Sequence, residues 1–394
     1  CRCCSSDWPS LPGRVVAPGR EPAPHPAMGP LGERLARRIA ATGPITLADY
    51  MAAVLTDPTA GYYTTRDPFG PRGDFVTAPE ISQMFGELIG LWCVEAWQRL
   101  GAPAPVRLVE LGPGRGTLLA DALRAACVVP PFLEAVRLHL VELSPTLRAA
   151  QAETLAGSLR DRPAAEPTWH DDLSDLPDGP FLLVANEFFD ALPIRQFERR
   201  PEGWHERVVT LTDDGRRFAF GLVPADAAAA VLVPPELREA EPGTLVEASP
   251  AAIGVAAEIG RRIAETGGFA LIVDYGHAAP RAGASLQALR GHERHDPLAE
   301  PGSADLTAHV DFSTLARAAG EAGARAHGPV AQAAFLRALG IEQRAARLRA
   351  RATPAQAEAV ESALERLVGP DAMGELFKVL ALGPRDAPAP AGFA

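Results

Sequence analysis

The apolar run Val106–Leu111 passes straight into Gly112-Pro-Gly-Arg-Gly116, and a helical apolar pattern then fills residues 117–127. A strand, a glycine turn and a helix in immediate succession commit this part of the chain to an α/β layout. The alternation repeats. Val136–Val141 is a second strand, ending at Glu142, and Ser144-Pro145 supplies a cap and first turn for the helix after it. Thr168–His170 leads into Asp171-Asp172, and Phe181–Ala185 runs into Asn186-Glu187. Strands alternating with helices imply a mostly parallel sheet covered on both faces.

A glycine turn between strand and helix suits a nucleotide-like ligand. The glycines allow close backbone approach, and the helix N-terminus presents unpaired N–H groups. A dinucleotide fingerprint has the spacing Gly-x-Gly-x-x-Gly. Here Gly112, Gly114 and Gly116 alternate strictly, and position 117 is threonine. Glu110, just ahead of them, would repel a pyrophosphate but suits the ammonium or sulfonium of S-adenosylmethionine. Glu142 is placed for ribose hydroxyls, and Asp171 or Asp172 for the adenine amino group. These acids favour the sulfonium ligand. A dinucleotide site and a packing turn without a ligand stay open as alternatives.

Ligands in open α/β sheets lie beyond the carboxyl ends of the strands. Asn186-Glu-Phe-Phe-Asp-Ala-Leu-Pro193 should therefore face the crevice of the glycine loop. Asn186 joins the cofactor set, and Glu187 and Asp190 are the candidate catalytic pair. Methyl transfer needs an aligned nucleophile and proton control. A guanidinium acceptor could be clamped by these carboxylates, which would also take the released proton; a supporting role behind the site is the competing reading. The segment Gly73–Glu80, with Gly73 and Thr77, reads either as a lid over the cofactor or as a capped lead-in to a helix over 81–100.

The remaining chain divides by composition. Residues 1–27 hold six prolines and no apolar period, and read as a disordered extension ahead of Met28. Residues 28–100 form an N-terminal helical segment with the lid-like loop. A catalytic domain spans 101–384, with a β-rich insertion at about 193–249, and 385–394 are a disordered tail. Helices are expected over 250–265, 312–322, 331–347 and 354–367, and strands over Phe269–Val273 and Phe377–Leu382. Cys93 and Cys127 are read as buried thiols. No standard zinc spacing occurs. The net charge of −11 disfavours nucleic acid, and no apolar run approaches the roughly 18 residues of a membrane span.

Several segments together resemble the MidA-like, NDUFAF7-type family of complex I assembly methyltransferases. They are Gly61-Tyr-Tyr63, Gly73–Glu80, Glu110–Gly116, Asn186–Pro193, Val273-Asp-Tyr-Gly-His277, Leu286–His292, Asp305–Phe312 and Gly374–Lys378, within residues 29–384. The resemblance implies a class I methyltransferase (Rossmann-like) fold, a seven-stranded sheet with its last strand antiparallel and helices on both faces. It implies S-adenosylmethionine as cofactor and, for the eukaryotic relatives, symmetric dimethylation of an arginine on a complex I subunit. A bacterial cytoplasmic location is expected, with the mitochondrial matrix as the alternative. A non-catalytic assembly chaperone and a nicotinamide-dependent oxidoreductase are the competing functions.

Overall fold

The computed structural model describes residues 28–66, 77–159 and 166–393. The expected extension 1–27 and the candidate Gly73 lie outside the described residues.

Seven strands form one continuous path: β1 (Val106–Leu111), β2 (Val136–Val141), β3 (Thr168–His170), β4 (Phe181–Asn186), β5 (Gly268–His277), β6 (Arg325–Ala331) and β7 (Phe377–Gly383). Their order is β3-β2-β1-β4-β5-β7-β6. The first five are mutually parallel, and β7 runs antiparallel to both of its neighbours. The last strand is thus antiparallel, as expected. The expected strand number needs correcting: among the described residues the sheet has eight, because Val310–Asp311 adds a short parallel pairing to the end of β5.

Side-chain alternation sorts the sheet between two cores. Leu182 and Val184 of β4 face one core with helices Gln83–Arg99 and Thr117–Ala126, while Leu183 and Ala185 face another with Pro250–Thr266 and Phe312–Glu321. Each fully buried Leu or Val contributes roughly 1.5–3 kcal/mol. Helices therefore cover both faces.

A third core lies beside the sheet. Leu31, Leu35 and Ile39 of helix Gly29–Thr42 and Tyr50 and Met51 of helix Leu47–Thr56 pack with Val209, Phe218 and Leu306. Thr46 caps the second of these helices through Asp49 N–H at 3.0 Å. It also pairs as a strand with Val208, joining the N-terminal helices to the insertion. The insertion is an antiparallel sheet of Arg195–Arg200, Gly203–Leu211, Phe218–Pro224 and Leu245–Ala248. A further three-stranded sheet, Gln287–Arg290, Glu293–His295 and Asp305–Thr307, closes this side.

Several expectations need correcting. Strand β6 was not expected, since Gly328-Pro329 interrupts its pattern; it is an edge strand, where proline costs no ladder bond, and its register shifts there. The helix expected over 331–347 is two, Gln332–Ala338 and Ile341–Arg349, broken where Gly340 takes φ +88°. Cys127 is exposed because the helix ends at Ala126 and leaves it on the turn. The C-terminal segment is docked: Trp92 Nε1 donates to Ala391 O at 3.2 Å, and the Phe335 and Phe393 rings lie 5.4 Å apart. Among the described residues no helix is long and apolar enough to cross a membrane.

Candidate active site

The register sets Leu111 of β1 beside Ala185 of β4, and Asn186 of β4 beside Val273 of β5. The glycine loop, the 186–193 loop and residues 274–277 therefore leave the sheet side by side. Gly112, Gly114 and Gly116 all sit in the left-handed region, at φ +60°, +55° and +81°. L-residues pay roughly 1–2 kcal/mol for that conformation, which explains the strict alternation. A Cβ on Gly112 would also meet the Phe188 ring at 3.0 Å. Gly116 caps helix Thr117–Ala126 and backs onto Gln151, 3.4 Å from where its Cβ would lie.

A cavity of about 1050 Å³ opens over this edge, lined by Gly112, Gly114, Glu142 and Asp172 and also by Tyr63, Glu187, Asp190, Tyr275 and Asp305. Beneath the glycine loop lies a small pocket of about 40 Å³, bordered by Thr77, Glu110, Gly114 and Asn186. Glu110 Oε2 and Asn186 Oδ1 are buried and, among the described residues, unpartnered. Burial pushes Glu110 up to about 8. Two orphaned acceptors at a site of this size fit an ammonium donor, such as the methionyl ammonium of S-adenosylmethionine.

Just beyond β2, Glu142 accepts Ser144 N–H at 2.8 Å through Oε1 and Gln151 Nε2 at 3.2 Å through Oε2. Gln151 also donates to Gly114 O at 2.8 Å, and its Oε1 accepts Trp169 Nε1 at 2.8 Å. One glutamine thus ties the acid to the glycine loop. Asp171 pairs with Arg148, and Asp172 caps the turn Leu173–Asp175 through Ser174 N–H at 2.8 Å. Both border the cavity.

Part of the lining is acidic. Glu187 takes φ +51°, a conformation rare for a residue with a side chain, of the kind that gathers at functional sites. Its Oε1 accepts Ala78 N–H at 3.1 Å and Asn186 Nδ2 at 3.2 Å. Burial, then the Asp190 charge, push it up to about 7. Asp190 is raised by burial, opposed by the nearby Tyr275 hydroxyl. Asp274, fully buried behind them, is raised by burial and by the charges of Asp190 and Glu187. Among the described residues none of these three is ion-paired. Tyr63 donates to Asp305 Oδ1 at 2.9 Å.

The structure brings together Gly112, Gly114, Glu142, Asp171, Asp172, Glu187 and Asp190 around the large cavity, and Glu110 and Asn186 around the small pocket; Thr77 borders both. Gly116 lines neither and acts through the helix start. The lid-like segment is anchored at its described end, where Glu80 Oε1 accepts the Thr117 hydroxyl at 2.6 Å. Tyr63, Gln151, Asp274, Gln287, Asp305 and Thr307 were not foreseen as site residues. Most lie in segments that carried the family resemblance, but only the fold supplies their partners.

Comparison with known proteins agrees with this geometry. The family described as "Putative S-adenosyl-L-methionine-dependent methyltransferase" matches residues 88–330. The chain is 40% identical over 391 residues to mouse "Protein arginine methyltransferase NDUFAF7, mitochondrial", covering 94% of this chain and 88% of that protein. It is 41% identical to the Drosophila melanogaster homolog, covering 90% and 85%. Among solved structures, a Burkholderia thailandensis protein bound to S-adenosyl-homocysteine superposes with a TM-score of 0.79 at 31% identity, covering 94% of this chain and 97% of that one.

Proposed function

The chain belongs to this family of S-adenosyl-L-methionine-dependent methyltransferases, and from that premise we propose that its methyl acceptor is an arginine side chain of a protein. The observation that carries the proposal is the pair of half-buried Glu187 and buried Asp190 at the strand ends, in the cavity that the glycine loop also lines. Buried carboxylates without a cationic partner favour a cationic ligand. A guanidinium offers five N–H donors in a planar fork that matches carboxylates. The names of the relatives support the same acceptor.

Glu110 and Asn186 would hold the methionyl ammonium of the cofactor, Glu142 its ribose, and Gly112 and Gly114 its backbone-facing side. When bound, the cofactor supplies a methyl group on a sulfonium. Glu187 and Asp190 orient one guanidinium nitrogen toward it. As the nitrogen–carbon bond forms, the methyl–sulfur bond would break and the sulfur leave as a neutral thioether; the nitrogen releases one proton, and the carboxylate pair receives it. A carboxyl group poised near neutral pH both gives up and accepts protons readily, which suits Glu187 to this work.

The finer reading is symmetric dimethylation of an arginine on a respiratory NADH dehydrogenase subunit, supported by the family resemblance. The names of the curated relatives support a mitochondrial location, and the solved bacterial structure shows that the fold also occurs in bacteria. Incubating the full chain with labelled S-adenosylmethionine and purified NADH dehydrogenase subunits, then mapping modified peptides, tests the proposal. Symmetric dimethylarginine is the expected product. Label confined to lysine, small molecules or nucleic acid would overturn it.

A further inference from the structure

Among the described residues Glu187 Oε1 accepts two donors, and both lead back to the small pocket beneath the glycine loop. One is Asn186 Nδ2, at 3.2 Å. The other amide atom of Asn186, Oδ1, is an orphaned acceptor, and the residue borders that pocket. The second donor is Ala78 N–H, at 3.1 Å.

Ala78 opens a single helical turn, Ala78–Ile81. Two residues further on, Glu80 Oε1 accepts the Thr117 hydroxyl at 2.6 Å. Thr117 is the first residue of helix Thr117–Ala126, directly after Gly116. A carboxylate at that end is favoured by the helix dipole. One hydrogen bond therefore latches the turn that serves Glu187 onto the helix that the glycine loop begins.

The turn can transmit that latch. Thr77 O accepts the N–H of Glu80 at 2.9 Å and that of Ile81 at 3.0 Å, and Ala78 is fully buried. Ser82 then caps helix Gln83–Arg99 through Met84 N–H at 3.2 Å. Displacing Glu80 from Thr117 thus displaces Ala78 N–H from Glu187. The Glu187 backbone, at φ +51°, is strained, and such strain persists only where surrounding contacts over-determine it.

The same segment is a wall of both spaces. Thr77 and Glu187 border the small pocket and the large cavity, and Glu80 and Thr117 border the small pocket with Glu110. An ammonium seated against Glu110 and Asn186 would lie between the glycine loop and this wall, and so would favour the latched arrangement.

Resting on the arginine reading above, we propose that Glu80 and Thr117 are positioning residues. Their hydrogen bond holds the turn 78–81 against the glycine-loop helix, so that Ala78 N–H seats Glu187 for the acceptor and cofactor occupancy is coupled to that seating. A latch that served stability alone would change the melting temperature and leave exchange of the Ala78 amide indifferent to the ligand.

Hydrogen–deuterium exchange on the full chain tests this without any acceptor. Saturating S-adenosylhomocysteine should slow exchange of the Ala78 amide by about tenfold in wild type and in Thr117→Ser, which keeps the hydroxyl. In Thr117→Val the slowing should fall below about twofold. Glu80→Ala should behave as Thr117→Val does, and either variant decides the matter if the other fails to fold. With an arginine peptide that the wild type methylates, kcat should drop about tenfold in Thr117→Val and stay within about twofold in Thr117→Ser. Exchange at Ala78 that ignores the ligand in wild type, equal slowing in wild type and Thr117→Val, or an unchanged kcat in Thr117→Val would overturn the proposal. A wild type that methylates another nitrogen refutes the arginine reading separately, and the exchange measurement still decides the latch.

Discussion

One carboxylate oxygen of Asp274 accepts the backbone N–H of Asp190 at 3.2 Å, and that of Phe189 at 3.0 Å. The other oxygen accepts Tyr275 N–H at 2.9 Å. A buried acid at the end of β5 thus fixes the loop that leaves β4. Replacing it with alanine leaves three N–H groups unsatisfied, at about 1–3 kcal/mol each. Asp274→Ala should lower the melting temperature and cut kcat by at least about tenfold. S-adenosylhomocysteine affinity, measured by calorimetry, should change little, because Glu110, Gly114 and Glu142 lie on or just beyond other strands.

Glu187→Gln keeps an oxygen for Ala78 N–H but removes the charge. Turnover should fall by about 10²–10⁴-fold, as for loss of a general base. Stability should move the other way. The folded-state proton affinity of Glu187 is raised, to about 7, so its favourable contribution is present at low pH and lost as pH rises through 7. The melting temperature of Glu187→Gln should exceed that of wild type by a margin that opens between pH 5 and pH 8. Thermal melts at both pH values check this.

Glu110 couples ligand binding to protons. Burial raises it to about 8, and only the ionised form pairs with an ammonium. Affinity for S-adenosylhomocysteine should therefore rise with pH up to about 8, by as much as tenfold per unit, with proton release on binding. Calorimetry in buffers of different ionisation heat measures that release. Glu110→Gln should bind more weakly and lose the pH dependence.

Much of this was legible in the sequence. Apolar periods placed the strands and most helices, and strict glycine alternation located the loop where three left-handed positions alternate. What stayed hidden depends on partners distant in sequence. Tyr63 meets Asp305 across 242 residues, and Asp274 meets Asp190 across 84. Local pattern carries no trace of such pairs. Likewise Gln287 looks like an ordinary polar strand residue until the fold sets it on the cavity wall. Strand β6 was hidden for a different reason, since its proline breaks the period without breaking an edge strand.

The glycine loop should tolerate no side chain at its first position. Gly112→Ala would place a Cβ at 3.0 Å from the Phe188 ring with φ at +60°. A stability loss of roughly 1–2 kcal/mol and at least tenfold weaker S-adenosylhomocysteine binding are expected, read by thermal melts and calorimetry.

A crystal structure of the chain with S-adenosylhomocysteine tests the central claim most directly. The account predicts the ligand amino group against Glu110 and Asn186, its ribose against Glu142, and its sulfur facing Glu187 and Asp190. A ligand whose sulfur points away from those two carboxylates, or whose amino group leaves Glu110 unpartnered, would contradict it.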